Sequence, residues 1–376
     1  MRPIGGVVLG YIGDTFGRKQ ALSLSIFLMA FPTFTMGCLP SFAQAGWTSV
    51  VLLILIRLLQ GMSVGGQLMA SVVFTLESAD RNKWGLYGSL VSASGVLGNL
   101  LGAIVGTLIR SNMTHEQILS YGWRIPFLSG ISVSVAGFYL RSSHGGEDDN
   151  GDDFEVNGEE SNKEGTQPKN ALLESFKPHN LRPLVASMMV PMLTCTGFYL
   201  TYVWMAIYME TLSEVNIPSA FRITSASLFL SGCLLLPLPG WLSDKYGRKL
   251  IMSIGAIIVS LTGPSMVSII GNSGDPALAF WAQLLMGSCY AFWSVPMFAF
   301  LMESFPPETR LTSLSIGYNI PAALVAGTTP AIATFMVDTL GPTSPGWIYT
   351  ISAIISMIGL WIVSPKPPQP QYTLIV

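Results

Sequence analysis

Apolar residues run along this chain in ten long blocks, near 21–40, 48–76, 85–109, 123–140, 184–209, 223–243, 250–273, 276–302, 311–337 and 346–364. Each approaches the ~20 residues that a helix needs to cross a hydrocarbon layer of ~30 Å. The blocks are continuously apolar, whereas a barrel strand would alternate over about ten residues, so helices are predicted. The expected fold class is an all-α polytopic membrane protein. Residues 1–13, MRPIGGVVLGYIG, would reach only about 20 Å as a helix at 1.5 Å per residue, and they read as a helix stub.

The chain also repeats itself. GYIGDTFGRK at Gly10 to Lys19 recurs as GWLSDKYGRK at Gly240 to Lys249, with Gly10, Asp14, Gly17 and Arg18 matched 230 residues on by Gly240, Asp244, Gly247 and Arg248. RLLQG from Arg57 recurs as QLLMG from Gln283, and Glu77 recurs as Glu303, both 226 residues on. Each glutamate closes a long apolar block and is soon followed by an arginine, Arg81 or Arg310. Two halves with a common architecture are implied, as in many transporters. The block at 184–209 has no partner in the first half, so roughly 45 to 50 residues are expected to be missing before residue 1 if the halves match.

Composition agrees with a membrane setting: 50% of the residues are hydrophobic and 11% charged, against about 25% charged in a soluble domain. With the loop after the stub placed in the cytoplasm, only Arg110, Arg124 and Arg222 fall outside; Arg2 and Arg57 lie in or at helices, and every other Lys and Arg is inside. This asymmetry sets the orientation, with the termini and linker cytoplasmic. His144 to Lys169 is polar and acidic and reads as a disordered linker. The division is therefore 1–140, first half; 141–182, linker; 183–364, second half; 365–376, tail. Cys38, Cys195, Cys233 and Cys289 stand singly, without metal or disulfide spacing, and no nucleotide-binding loop is present, so no cofactor or metal is expected.

G-x-x-x-D-x-x-G-R-K at a helix-to-loop junction in each half resembles the signature of the major facilitator superfamily. RPIGGVVLGYIGDTFGRK, RLLQGMSVGGQ, GWRIPF and GWLSDKYGRK are similar to its metabolite:proton symporter group, which contains proline/betaine, α-ketoglutarate, citrate and shikimate permeases. The resemblance implies two six-helix halves, here lacking helix 1 and part of helix 2. It also implies a cytoplasmic latch formed by Asp14, Arg18, Glu77, Arg81, Asp244, Arg248, Glu303 and Arg310, which holds the halves in an outward-facing state. On physical grounds Asp14 and Asp244 can approach the positive N-terminus of a neighbouring helix, and Arg18 and Arg248 can reach Glu77 and Glu303.

A charge as deep as Arg57 in an otherwise uncharged helix usually lines a pathway. Gln67, Tyr199, Tyr202, Trp293 and Asn319 complete the expected substrate and coupling pathway, and their aromatic neighbours Phe198, Trp204, Tyr290, Phe292 and Tyr318 could hold a quaternary ammonium by cation–π contact. No Asp, Glu or His lies at mid-membrane depth, and Gln67 stands where the resembled group usually has glutamate. Proton symport is the expected mode, with uniport or another driving ion as alternatives. Gly95, Gly98, Gly102 and Gly106 are expected to pack a helix closely against a partner.

The leading expectation is a secondary transporter of a small polar organic solute, an osmolyte or a carboxylate, working by alternating access in the plasma membrane. Its partners would be the solute, protons and the lipid bilayer, with no nucleic acid; a monomer is expected. A transport-inactive fragment of such a carrier is the alternative. A membrane enzyme is remote, because no His, Cys or carboxylate cluster suits catalysis.

Overall fold

A computed structural model describes residues 1–132, 171–213, 217 and 219–363. Helix α1 spans Arg2–Thr15. Nine further helices are long and apolar enough to cross a membrane among the described residues: α2 Arg18–Gly37, α3 Trp47–Glu77, α4 Arg81–Asn112, α5 Pro178–Leu212, α6 Ala220–Tyr246, α7 Arg248–Ser273, α8 Pro276–Glu303, α9 Pro307–Leu340 and α10 Ser344–Ile362. Of the ten expected spans, the one at 123–140 starts as the helix Arg124–Leu128 and then leaves the described residues.

The repeat is visible in space: α2 packs along α3 as its counterpart α7 packs along α8, and α1 meets α9 as its counterpart α6 meets α4. Prolines lie inside these helices, at Pro32, Pro264, Pro296, Pro321 and Pro330. At Pro264 the carbonyl oxygen of Ser260, one turn back, accepts from the Thr350 hydroxyl of α10 at 2.8 Å, and α9 widens to π-helical geometry over Ala322–Ala326 just after Pro321. Large apolar side chains such as Phe27, Leu101, Trp281, Phe335 and Trp361 point outward and are exposed, as a lipid-facing surface requires. The interior is densest in the second half, where Met252, Ala256, Met286, Trp293, Met297 and Phe300 are fully buried together.

Two expectations are corrected. Residues 171–182, taken above as the end of the linker, are largely helical. Ala171–Ser175 forms a short helix with Ala171 and Ser175 buried, Ser313 on α9 donates to the Ser175 hydroxyl at 2.9 Å, and α5 has already started at Pro178. The reason is the segment ALLESF, whose small residues fit against α9. The glycine face of α4 has no close partner: a Cβ at Gly95, Gly98, Gly102 or Gly106 would meet nothing within 4 Å among the described residues. Contacts between α4 and the second half concentrate toward its first half, where Gly85 and Ser89 meet α6. The expected linker residues 141–170 and tail 365–376 lie outside the described residues.

Candidate functional site

The repeated motif explains itself residue by residue once the halves are together. The first glycine permits contact: a Cβ at Gly10 would fall 2.9 Å from the Thr312 Cα on α9, and one at Gly240 would fall 2.5 Å from the Gly85 carbonyl oxygen on α4. Each motif helix therefore lies directly against the start of a helix from the opposite half.

The aspartate uses that proximity. Asp14 accepts hydrogen bonds from the backbone N–H of Leu311 (3.2 Å) and Thr312 (2.7 Å). Asp244 accepts from Gly85 (2.8 Å) and Leu86 (2.9 Å). In both cases the carboxylate takes orphan amides of the first helical turn, where the helix dipole is positive. First half caps second half, and second half caps first. The Asp14 side chain is fully buried and the Asp244 side chain 9% exposed.

The second glycine makes the turn: Gly17 has φ 107° and Gly247 φ 96°, a conformation that costs an L side chain strain even though the space beside both is open. The turn brings the arginine back onto its own aspartate and across to the glutamate. Arg18 pairs with Asp14 and with Glu77 at 3.1 Å; Arg248 pairs with Asp244 and with Glu303 at 3.3 Å.

The symmetry then breaks. Glu77 also takes Arg310 of the opposite half at 2.6 Å, and Arg18 donates to the Pro307 carbonyl oxygen at 2.6 Å, so the Asp14 corner is a cross-half network of four charges. Arg81 joins no ion pair among the described residues. Its guanidinium lies 5.4 Å over the Trp84 ring, whose other neighbour is Arg310 at 5.8 Å.

The expected pathway residues are not brought together. Arg57 is exposed on α3, and it donates a hydrogen bond to Gln60 at 3.3 Å. Its repeat counterpart Gln283 is wholly buried and donates to the Thr201 carbonyl oxygen at 2.6 Å, a packing role. Gln67 is half-buried and makes no side-chain hydrogen bond among the described residues. Tyr202 is buried and bonded to Ser231 at 2.6 Å, with its ring 6.5 Å from Tyr290; Tyr199 stays half-buried beside Phe198 at 5.8 Å. Trp293 is fully buried, and its indole N–H has no acceptor among the described residues.

Asn319 does sit on the seam. Its amide nitrogen donates to the carbonyl oxygens of Gly65 (2.6 Å) on α3 and Ser315 (2.8 Å), and its oxygen accepts from Arg2 Nε at 3.0 Å. Arg2, which meets Asn319 here, was not among the expected pathway residues. The available signal was a cation followed by Pro-x-Gly-Gly at the start of an apolar helix that is shared with the motif.

Comparison with known proteins decides the family. Residues 1–366 match the family described as "Sugar (and other) transporter". The chain belongs to that family. It is 31% identical over 97% of its length to a putative proline/betaine transporter of Staphylococcus aureus (strain COL), covering 76% of that protein. It is 30% identical over 95% of its length to the proline/betaine transporter of Salmonella typhimurium, covering 71% of it. Among solved structures, the proton:xylose symporter XylE of the major facilitator superfamily superposes with TM-score 0.72 at 16% identity, over 96% of this chain and 83% of that one. The fucose transporter FucP, solved in the outward conformation, superposes at 0.66 with 13% identity, over 96% of this chain and 87% of that one.

This member of the sugar (and other) transporter family is therefore a multi-pass membrane transporter of small solutes with the major facilitator fold. The family match runs from residue 1, and it lends no support to the expected loss of helix 1 and part of helix 2.

Proposed function

We propose that the chain is a secondary transporter of a small polar organic solute of the proline or betaine type, moved by alternating access in proton symport across the plasma membrane. The reading that it is closest to the metabolite:proton symporters, with the motif loops in the cytoplasm, belongs to this proposal. The observation that carries it is the reciprocal capping of α9 by Asp14 and of α4 by Asp244, which ties the two halves at the motif end through groups that can part without breaking either half. A fold of two halves that rock about a central site needs such a reversible closure. The names of the relatives supply the substrate class.

The test is uptake of radiolabelled proline and glycine betaine by the protein in liposomes, with an inward proton gradient and with the gradient collapsed. Accumulation above the external concentration that disappears with the gradient is expected. Equilibration at the same rate in both conditions would make it a uniporter; no uptake of either solute above protein-free liposomes would overturn the substrate class.

A further inference from the structure

Two arginines lie deep along helices of this chain, and the structure treats them differently. Arg57 is exposed on α3. Arg2 stands three helical turns before Asp14 on α1, so about 18 Å separates it from the capped end, near mid-depth of a ~30 Å layer. The glycines that follow it place it there. A Cβ at Gly5 would fall 2.0 Å from the Met62 carbonyl oxygen on α3, and one at Gly6 would fall 2.5 Å from the Asn319 side-chain nitrogen on α9. Only a bare backbone lets α1 wedge between these helices.

Among the described residues, the surroundings of Arg2 supply no counter-ion. Asn319 takes Nε and is itself held by Gly65 and Ser315, so its oxygen is fixed toward the guanidinium. The guanidinium lies 5.7 Å from the centre of the Tyr318 ring. Among the described residues no carboxylate comes within 4 Å of it; the ion pairs all lie at the motif end or near the start of α5. Arg2 is half-buried. A cation at this depth costs about 2.5–3.5 kcal/mol on insertion scales unless something offsets it. Its planar fork suits two hydrogen bonds to one carboxylate. The Tyr318 ring beside it meets the Phe298 ring of α8 at 6.0 Å.

We infer that Arg2, oriented by Asn319, binds the carboxylate of a zwitterionic solute, whose substituted ammonium faces the rings of Tyr318 on α9 and Phe298 on α8. Because Arg2 belongs to the first half and Asn319 and the rings to the second, the bound solute touches both sides of the seam, and occupancy bears on their relative position. The assignment rests on the transporter reading above, and it singles out Arg2 rather than Arg57 as the anion anchor.

The test uses the purified full chain, with equilibrium binding of radiolabelled proline and glycine betaine and with choline as a cation that lacks the carboxylate. Arg2→Gln should weaken binding about ten- to a hundredfold, the size of one or two charge-assisted hydrogen bonds. Arg2→Lys, which keeps the charge without the fork, should recover only part of it. On the unsubstituted chain, phenylglyoxal modification of Arg2, followed by mass spectrometry, should slow severalfold with glycine betaine and not with choline; this readout does not depend on a variant folding. Binding within twofold in Arg2→Gln, or Arg2 modification unaffected by bound glycine betaine, overturns the anchor and leaves the transporter reading intact. Binding of choline as tightly as glycine betaine also overturns the anchor alone. Failure of the wild-type chain to bind either carboxylate overturns both.

Discussion

Removing the Asp14 carboxylate is the perturbation that the geometry resolves best. Asp14→Ala deletes two acceptors of backbone N–H groups on α9 and the partner of Arg18, in a side chain with no solvent exposure. Charge-assisted hydrogen bonds contribute about 1.5–3 kcal/mol each, and breaking a buried pair costs about 3–5 kcal/mol because the remaining charge is stranded. The loss falls on the state in which α1 touches α9. When the halves part at this end, the amides and Arg18 meet water instead. Taking about 3 kcal/mol as the difference, the ratio of closed to open molecules drops by roughly a hundredfold, at tenfold per 1.4 kcal/mol. Asp14→Asn keeps one acceptor oxygen and loses the charge, so a shift of about tenfold is expected. A reporter is available at Ser315, which is fully buried on α9 with its hydroxyl unpartnered among the described residues; cysteine there is nearly isosteric. The rate at which a membrane-impermeant maleimide labels Ser315→Cys from the motif side reads the open fraction. The expected order is parent, then Asp14→Asn, then Asp14→Ala, rising. Equal rates in all three, with unchanged melting temperature, would mean that the caps do not hold the halves together.

Other outcomes follow from the same geometry. Gly240→Ala places a methyl 2.5 Å from the Gly85 carbonyl oxygen, so it should raise the same labelling rate, whereas Gly95→Ala, with nothing within 4 Å, should leave it unchanged. Gly17→Ala forces alanine to φ 107° and should lower stability by about 1–3 kcal/mol in a denaturation midpoint. Gln283→Leu removes the buried bonds to the Thr201 carbonyl and the Thr224 hydroxyl and should lower the melting temperature; a loss below about 1 kcal/mol would show that they are dispensable.

The spans were legible because crossing a membrane demands long apolar runs and leaves little room for exceptions, and the halves were legible because the motif recurs at one offset. Sequence could also say that Asp14 and Asp244 sit where a carboxylate suits a helix N-terminus. It could not say whose. Capping across the halves depends on α1 meeting α9 and α6 meeting α4, contacts between residues some 160 to 300 positions apart that no local pattern encodes.

The same limit explains what sequence reasoning misjudged. Arg2 and Arg57 are both cations in apolar helices, and although Pro-x-Gly-Gly after Arg2 hints at close packing, it does not say which helices would approach it. Only the packing of α1 between α3 and α9, through Gly5 and Gly6, puts Arg2 on the seam with Asn319 while Arg57 faces outward. Likewise Trp293 and Tyr202 are aromatic residues on the expected helices, yet tertiary packing buries both against neighbours of the second half. Hydrophobicity determines that a helix enters the bilayer; which face of it meets another helix is set by the shapes of both partners, and that information exists only once they are together.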